Sequence, residues 1–154
     1  MKKTNNNIFK KTLGKFTTGV TVVCVKQNNI IHGKTVNSFN SLSLNPPLVL
    51  FSLGNYSSSI NNFLNSKYLT INILSKKQKN ISNHFSQKKP SLIDIGFTDG
   101  KYNTSYISNC VGNLECKLVD KIKKGDHIIF ICKVINVLYD DKLKPLSYFN
   151  SNYY

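Results

Sequence analysis

Apolar positions in this chain fall mostly into short continuous or alternating runs, the mark of strands. Residues 19–26 are rich in Val and Thr, the composition of a pleated strand. Asn28-Asn29 breaks the run, and 30–38 resumes it, which predicts a hairpin. Pro46-Pro47 sets an extended lead into a buried-looking strand over 48–53. Residues 68–74, 111–119 and 127–139 read as further strands, the last two joined by Lys123-Lys124-Gly125-Asp126. Helical spacing is confined to three short stretches. One is 5–15, with Ile8, Phe9, Leu13 and Phe16 on one side. The second follows Ser57-Ser58-Ser59, an N-cap cluster before Ile60, Phe63 and Leu64. The third is 77–85, where Ile81 and Phe85 lie four apart. Residues 39–45 are Ser/Asn-rich and predict irregular chain, and 87–109 predicts a long loop of the kind that often carries function. The tail closes on Tyr148, Phe149, Tyr153 and Tyr154.

About six strands with short helices between them predict a mainly β fold, a Greek-key barrel with helical insertions. No Gly-rich loop follows the first strand, and strands do not alternate with long helices, so a dinucleotide-binding α/β fold is excluded. A length of 154 residues predicts a single domain spanning 1–154, with a core that needs no metal or disulfide.

The formal charge of +14 suggests nucleic acid at first sight. All 21 basic residues are Lys, however, and Arg, whose fork matches phosphate and guanine, is absent. The lysines are spread along the chain, which points to a solvated surface that still attracts anionic ligands. Cys24, Cys110, Cys116 and Cys132 have no metal-ligand spacing, and three of them sit in apolar runs. Buried reduced thiols and a cytoplasmic location are expected. The Lys/Asn-rich N-terminus lacks the apolar core of a signal peptide, and no apolar run approaches membrane-spanning length.

Three segments can carry chemistry. In Gly33 to Pro47, hydroxyls and amides crowd the chain as it leaves a strand, and such groups can bond the edge of a heteroaromatic ring. Turn formation explains the same composition. Asn55-Tyr56-Ser57-Ser58-Ser59 puts hydroxyls at a helix start, suited to a phosphate or simply to capping. Gly125-Asp126-His127 presents a His at a strand end, as a donor beside a bound ring or as a structural residue. No nucleophile elbow and no convincing acid/base pair occurs among the seven acidic residues.

In order, Phe16-Thr17-Thr18-Gly19-Val20-Thr21-Val22-Val23, Thr35-Val36-Asn37-Ser38-Phe39, Ser41-Leu42-Ser43 and Pro46-Pro47-Leu48-Val49 run through the chain. Ser57 to Ser59, Asn72-Ile73-Leu74-Ser75, Gln78, Leu114-Glu115-Cys116, Gly125-Asp126-His127 and Pro145-Leu146-Ser147-Tyr148-Phe149 follow. This series resembles the flavin reductase family, the FMN-binding split barrel of two-component monooxygenase systems, over roughly residues 9–154. The resemblance implies a six-stranded antiparallel Greek-key split barrel that forms a homodimer. It implies an NAD(P)H:flavin oxidoreductase that takes hydride from NADH or NADPH, reduces FMN or FAD, and supplies a partner flavin-dependent monooxygenase. By the same resemblance, Thr35, Val36, Asn37, Ser38, Ser41 and Ser43 border the ring and ribityl chain. Phe51, Ser52 and Leu53 pass beside it, Ser58 and Ser59 hold the phosphate, and Phe85 lies against the cofactor. His127 positions the nicotinamide. Two arginines common in the family are replaced here, by Asn55 and within Asn150-Ser151-Asn152. An FMN-binding electron carrier without catalysis is the alternative on the same fold, and a basic nucleic-acid-binding barrel is the alternative from another class.

Overall fold

A computed structural model of the chain describes residues 5–87 and 94–154. The elements are α1 (Asn6–Leu13), β1 (Thr18–Gly19), β2 (Thr21–Gln27), β3 (Ile30–Val36), β4 (Asn40–Leu44), β5 (Pro47–Gly54), α2 (Ile60–Leu64) and β6 (Tyr68–Ile73). After a single 3-10 turn come α3 (Lys79–Ser86), β7 (Phe97–Asp99), β8 (Ser105–Ile107), β9 (Gly112–Lys124), β10 (His127–Tyr139), β11 (Ser147–Phe149) and β12 (Asn152–Tyr153). No helix among the described residues is long and apolar enough to cross a membrane.

The fold is mainly β and antiparallel, as expected. The main sheet has seven strands rather than six, in the order β3-β2-β6-β9-β10-β5-β4. The added strand is β4, in the stretch expected to be irregular. It pairs on one side only, against β5, with a register shift between Ser41 and Ser43. An edge strand tolerates such polar, short residues because one of its sides faces no ladder. The 87–109 segment also departs from expectation: β7 and β8 form a hairpin within it, and residues 88–93 lie outside the described residues.

Turn chemistry follows the residues closely. Asn28 and Asn29 take φ of 49° and 62° between β2 and β3, as a two-residue hairpin turn demands and Asn tolerates. Gly125, at φ 58°, reverses the chain between β9 and β10.

Two apolar clusters flank β2, which explains why its run does not alternate. Inside the curved sheet, Val23, Phe51, Phe63, Leu69 and Phe130 pack together, with Phe51 stacked on Phe130 at 5.1 Å. On the outside, Val22, Leu74, Phe85, Ile107 and Leu146 pack under α3 and the β7–β8 hairpin. All four thiols are buried and free; burial pushes Cys110 and Cys132 up to about 12 and raises the other two as well. They are therefore inert at neutral pH.

The β7–β8 hairpin is fastened by buried polar side chains. Thr70 donates to the Ser105 carbonyl at 2.7 Å, and Asn72 accepts from the Ile107 N–H at 2.9 Å. Asn113 bonds both Asn72 (2.8 Å) and the Ile107 carbonyl (3.1 Å). Gln78 donates to the Ser108 carbonyl at 2.7 Å. The fully buried Glu115 accepts from the Tyr102 N–H (3.1 Å), the Thr104 hydroxyl and the Tyr106 hydroxyl (3.2 Å). Burial pushes the Tyr106 phenol up to about 12, so it remains a donor to Glu115.

At the two ends of the chain, β11 pairs with β1 and β12 pairs with β11. Asn150 and Ser151 form the β11–β12 turn at φ 47° and 65°. Tyr153 packs edge-on against Tyr148 at 5.2 Å, and its hydroxyl meets that of Ser82 at 2.9 Å.

Gly33 allows a close approach that bears on the site. A methyl group there would lie 2.5 Å from two Phe85 ring carbons. Gly33→Ala is expected to displace Phe85 and cost about 1–3 kcal/mol, the usual penalty for overpacking. A thermal melt checks this, and an unchanged midpoint would mean that the ring yields freely.

Candidate functional site

The strand order leaves a seam where β3 and β5 approach without a ladder between them. Ser38 ties it: its hydroxyl donates to the Ser52 carbonyl (3.2 Å) and accepts from the Ser52 N–H (3.0 Å). An open cleft of about 660 Å³ lies along this seam, within the size range of small-molecule sites. One wall is Lys34 to Ser38, at the end of β3. The other is Ser52, Leu53 and Gly54 of β5, with Tyr56, Ser57 and Ser58 beyond it. Ser86 of α3 and His127 at the start of β10 complete the lining.

Eight residues singled out from the sequence therefore converge: Thr35, Val36, Asn37, Ser38, Ser52, Leu53, Ser58 and His127. Ser59 and Phe85 edge an adjoining recess of about 200 Å³, which shares Lys34 and Ser58 with the cleft. Three residues stand apart. Phe51 is fully buried in the inner core, because alternation along β5 turns it inward. Ser41 and Ser43 lie on β4, outside the cleft lining.

The Thr35 and Ser38 side chains are already engaged. Thr35 donates to the Ser82 carbonyl at 2.6 Å, and Ser38 holds the seam. Free donors on this wall come instead from the backbone. The Asn37 and Ser38 N–H groups lie past the end of the β3 ladder and make no backbone hydrogen bond among the described residues. On the opposite wall, α2 has only five residues, and Ser59 before it makes no side-chain capping bond. The serine hydroxyls are thus not spent on the helix.

His127 faces Gly54 across the β10–β5 ladder. Its Nδ1 lies 2.7 Å from the Asp126 carboxylate, and the Tyr56 ring stands edge-on at 6.5 Å. The hydrogen bond to His127 holds the Asp126 carboxyl below the usual carboxylate range. Lys34 is half-buried, and burial lowers its ammonium from the ordinary value.

This donor set fits a flat heteroaromatic ligand with an anionic tail: backbone N–H groups on one wall, hydroxyls and an ammonium at one end, an imidazole at the mouth. The sequence profile described as "Flavin reductase like domain" matches residues 13–154. The chain belongs to that family. It is 34% identical over 137 residues to FMN reductase (NADH) SmoA of Agrobacterium fabrum, covering 89% of this chain and 79% of the relative. It is 29% identical to the flavin-dependent monooxygenase reductase subunit HsaB of Mycobacterium tuberculosis, over 94% of this chain and 79% of that one. The solved structure of flavin reductase PheA2 in its native state superposes with a TM-score of 0.92 at 33% identity, covering 97% of both chains.

Beside this family frame, several lining residues escaped the sequence reading: His32, Gly54, His84, Ser86 and Gln87. Tyr56, read only as part of the Asn55–Ser59 cluster, also lines the cleft. His84 and Gln87 offered none, because only the docking of α3 on β3 brings them to the site. The tail reaches the site as well: Tyr148 and Tyr153 line a recess of about 260 Å³ against Thr35, Val36 and Asn37.

Proposed function

We propose that this chain is an NAD(P)H:flavin oxidoreductase that reduces FMN or FAD and passes the reduced flavin to a partner monooxygenase. The observation that carries it is the convergence of the Thr35–Ser38 backbone, the Ser58 hydroxyl and His127 on one cleft, in a chain of this family. Names of relatives support it, one an NADH-dependent FMN reductase and one the reductase subunit of a monooxygenase. The profile match over 13–154 supports a single flavin reductase domain.

Flavin, when bound, supplies the chemistry by accepting a hydride from the reduced nicotinamide. The chain's own residues bind and orient. The Asn37 and Ser38 N–H groups are the donors for the polar edge of the ring, where negative charge develops. Ser58 and Ser59 take the phosphate. His127, fixed by Asp126, positions the nicotinamide. No protein nucleophile is needed. The test is an anaerobic absorbance spectrum with FMN, then with NADH. Bleaching of the flavin band at a catalytic rate supports the reading, and a flavin that binds but is not reduced points to the electron carrier instead.

His127→Ala is expected to leave flavin binding nearly intact and to slow flavin reduction by up to about 100-fold, the scale of a misplacement of roughly 1 Å. Stopped-flow reduction at several NADH and NADPH concentrations reads it. Wild-type rate and affinity would make His127 a structural strand-end residue.

The reading extends to a cytoplasmic homodimer. Four free buried thiols support a reducing compartment. Apolar side chains left in water support the dimer: Phe16 is 76% exposed, Ile8 64% and Leu44 93%. Light scattering on the eluted protein should give twice the 17.4 kDa chain mass; a monomer that still binds flavin would contradict it.

A further inference from the structure

The β3 ladder ends at Val36, so side chains must hold the loop that offers the Asn37 and Ser38 N–H groups to the cleft. Three do so. Thr21 donates its hydroxyl to the Val36 carbonyl at 3.2 Å, Ser38 bonds both backbone groups of Ser52 at 3.2 and 3.0 Å, and Thr35 donates to the Ser82 carbonyl at 2.6 Å. Thr21 and Ser52 belong to strands of the main sheet. Ser82 belongs to α3, so the third tether is only as firm as whatever holds that helix.

Ser82 is fully buried and is gripped from two sides. Its carbonyl takes the Thr35 hydroxyl, and its own hydroxyl meets that of Tyr153 at 2.9 Å. Tyr153 is on β12, which joins the rest of the fold through β11 and β1. The Lys79 ammonium lies 5.6 Å from the centre of the Tyr153 ring and docks the same side chain on the start of α3. A serine inside a helix can turn its hydroxyl onto a carbonyl of the preceding turn; here it meets β12 instead. Ser82 lies outside the cleft lining, and Tyr153 borders the neighbouring recess. Both therefore reach the donor loop through Thr35.

We infer that Tyr153 is a positioning residue for flavin reduction: through Ser82 and Thr35, its hydroxyl fixes the loop whose N–H groups meet the polar edge of the ring. The inference rests on the flavin reading of the cleft. It gives β12, remote in sequence from the loop, a part in setting where those donors stand.

The experiment compares wild type with Tyr153→Phe, Ser82→Ala and the double variant, by fluorescence titration with riboflavin and FMN and by stopped-flow reduction of the bound flavin with NADH. Tyr153→Phe keeps the ring against Tyr148 and removes the hydroxyl alone. It should weaken riboflavin and FMN alike by about tenfold, the scale of one hydrogen bond. The limiting rate of reduction should fall about tenfold, short of the roughly 100-fold of a 1 Å misplacement. The NADH concentration giving half the limiting rate should stay within about twofold. Ser82→Ala should match these losses and keeps the test readable if the tail variant folds poorly. The double variant should lose no more than either single one, because all three break one tether. A purely structural role would lower the melting midpoint and the amplitude of flavin binding while the folded molecules kept wild-type affinity and limiting rate; that result would overturn the inference. So would additive losses in the double variant, or a change confined to the NADH dependence. If riboflavin itself fails to bind wild type, the flavin reading of the cleft falls, and this inference with it.

Discussion

Replacing Ser58 and Ser59 together by alanine is expected to weaken FMN binding roughly 10²- to 10⁴-fold while leaving riboflavin binding within about twofold. Each hydroxyl lost from a charged group costs about 1.5–3 kcal/mol, and a factor of ten corresponds to about 1.4 kcal/mol. The selectivity follows from local structure. Both serines sit where the chain leaves β5, with Ser58 in the cleft lining and Ser59 in the recess lining. The helix that follows spans five residues, and Ser59 makes no capping bond to it. Their removal therefore takes little from the fold. Paired titrations with FMN and riboflavin read the difference directly. Equal losses for both ligands would show that the serines shape the loop and do not touch the phosphate.

Glu115→Ala is expected to destabilise the protein by about 2–5 kcal/mol, a large share of the stability of a domain this size. The side chain is fully buried and accepts from three donors of the 97–107 hairpin. Truncation leaves the Thr104 and Tyr106 hydroxyls buried without that acceptor, at about 1–3 kcal/mol for each one not recovered. Asn136 already donates to the Tyr106 oxygen at 3.1 Å but offers nothing for the phenol's own proton. Glu115→Gln keeps one acceptor oxygen and should lose less. Denaturant unfolding of both variants checks the order. If alanine and glutamine cost the same, the loss comes from the missing charge and not from missing acceptors.

The central strands were legible because each carries its own signal: Val and Thr in β2, a continuous apolar run in β5 and β10, and Asn-Asn or Gly-Asp at the turns. The parts that were not legible depend on partners far away in sequence. In β4, Ser41-Leu42-Ser43-Leu44 does alternate, but its Ser and Asn content favours turns, and only pairing with β5 decides the matter. The β7–β8 hairpin owes its place to Thr70, Asn72, Asn113 and Glu115 on other strands. A polar residue in a strand looks like a surface residue until the element covering it is known. In the site the same division holds. Along β5, parity puts Ser52 and Phe51 on opposite faces, but Leu53, on the face of Phe51, also lines the cleft, so position along the strand decides as well. Lys34, on a segment the sequence marked for chemistry, borders the cleft, and its ammonium reaches across to the Gln87 carbonyl just past α3.

The seam between β3 and β5 has a consequence for how such a scaffold diversifies. Strands joined by a ladder keep a spacing of about 4.8 Å whatever side chains they carry. Here the two walls are joined by the hydroxyl of Ser38, so the gap between them is gauged by a side chain. A larger or smaller residue at 38 resets the opening while every backbone pairing of the sheet stays in register. Groove width can drift from one descendant to the next without any strand having to move.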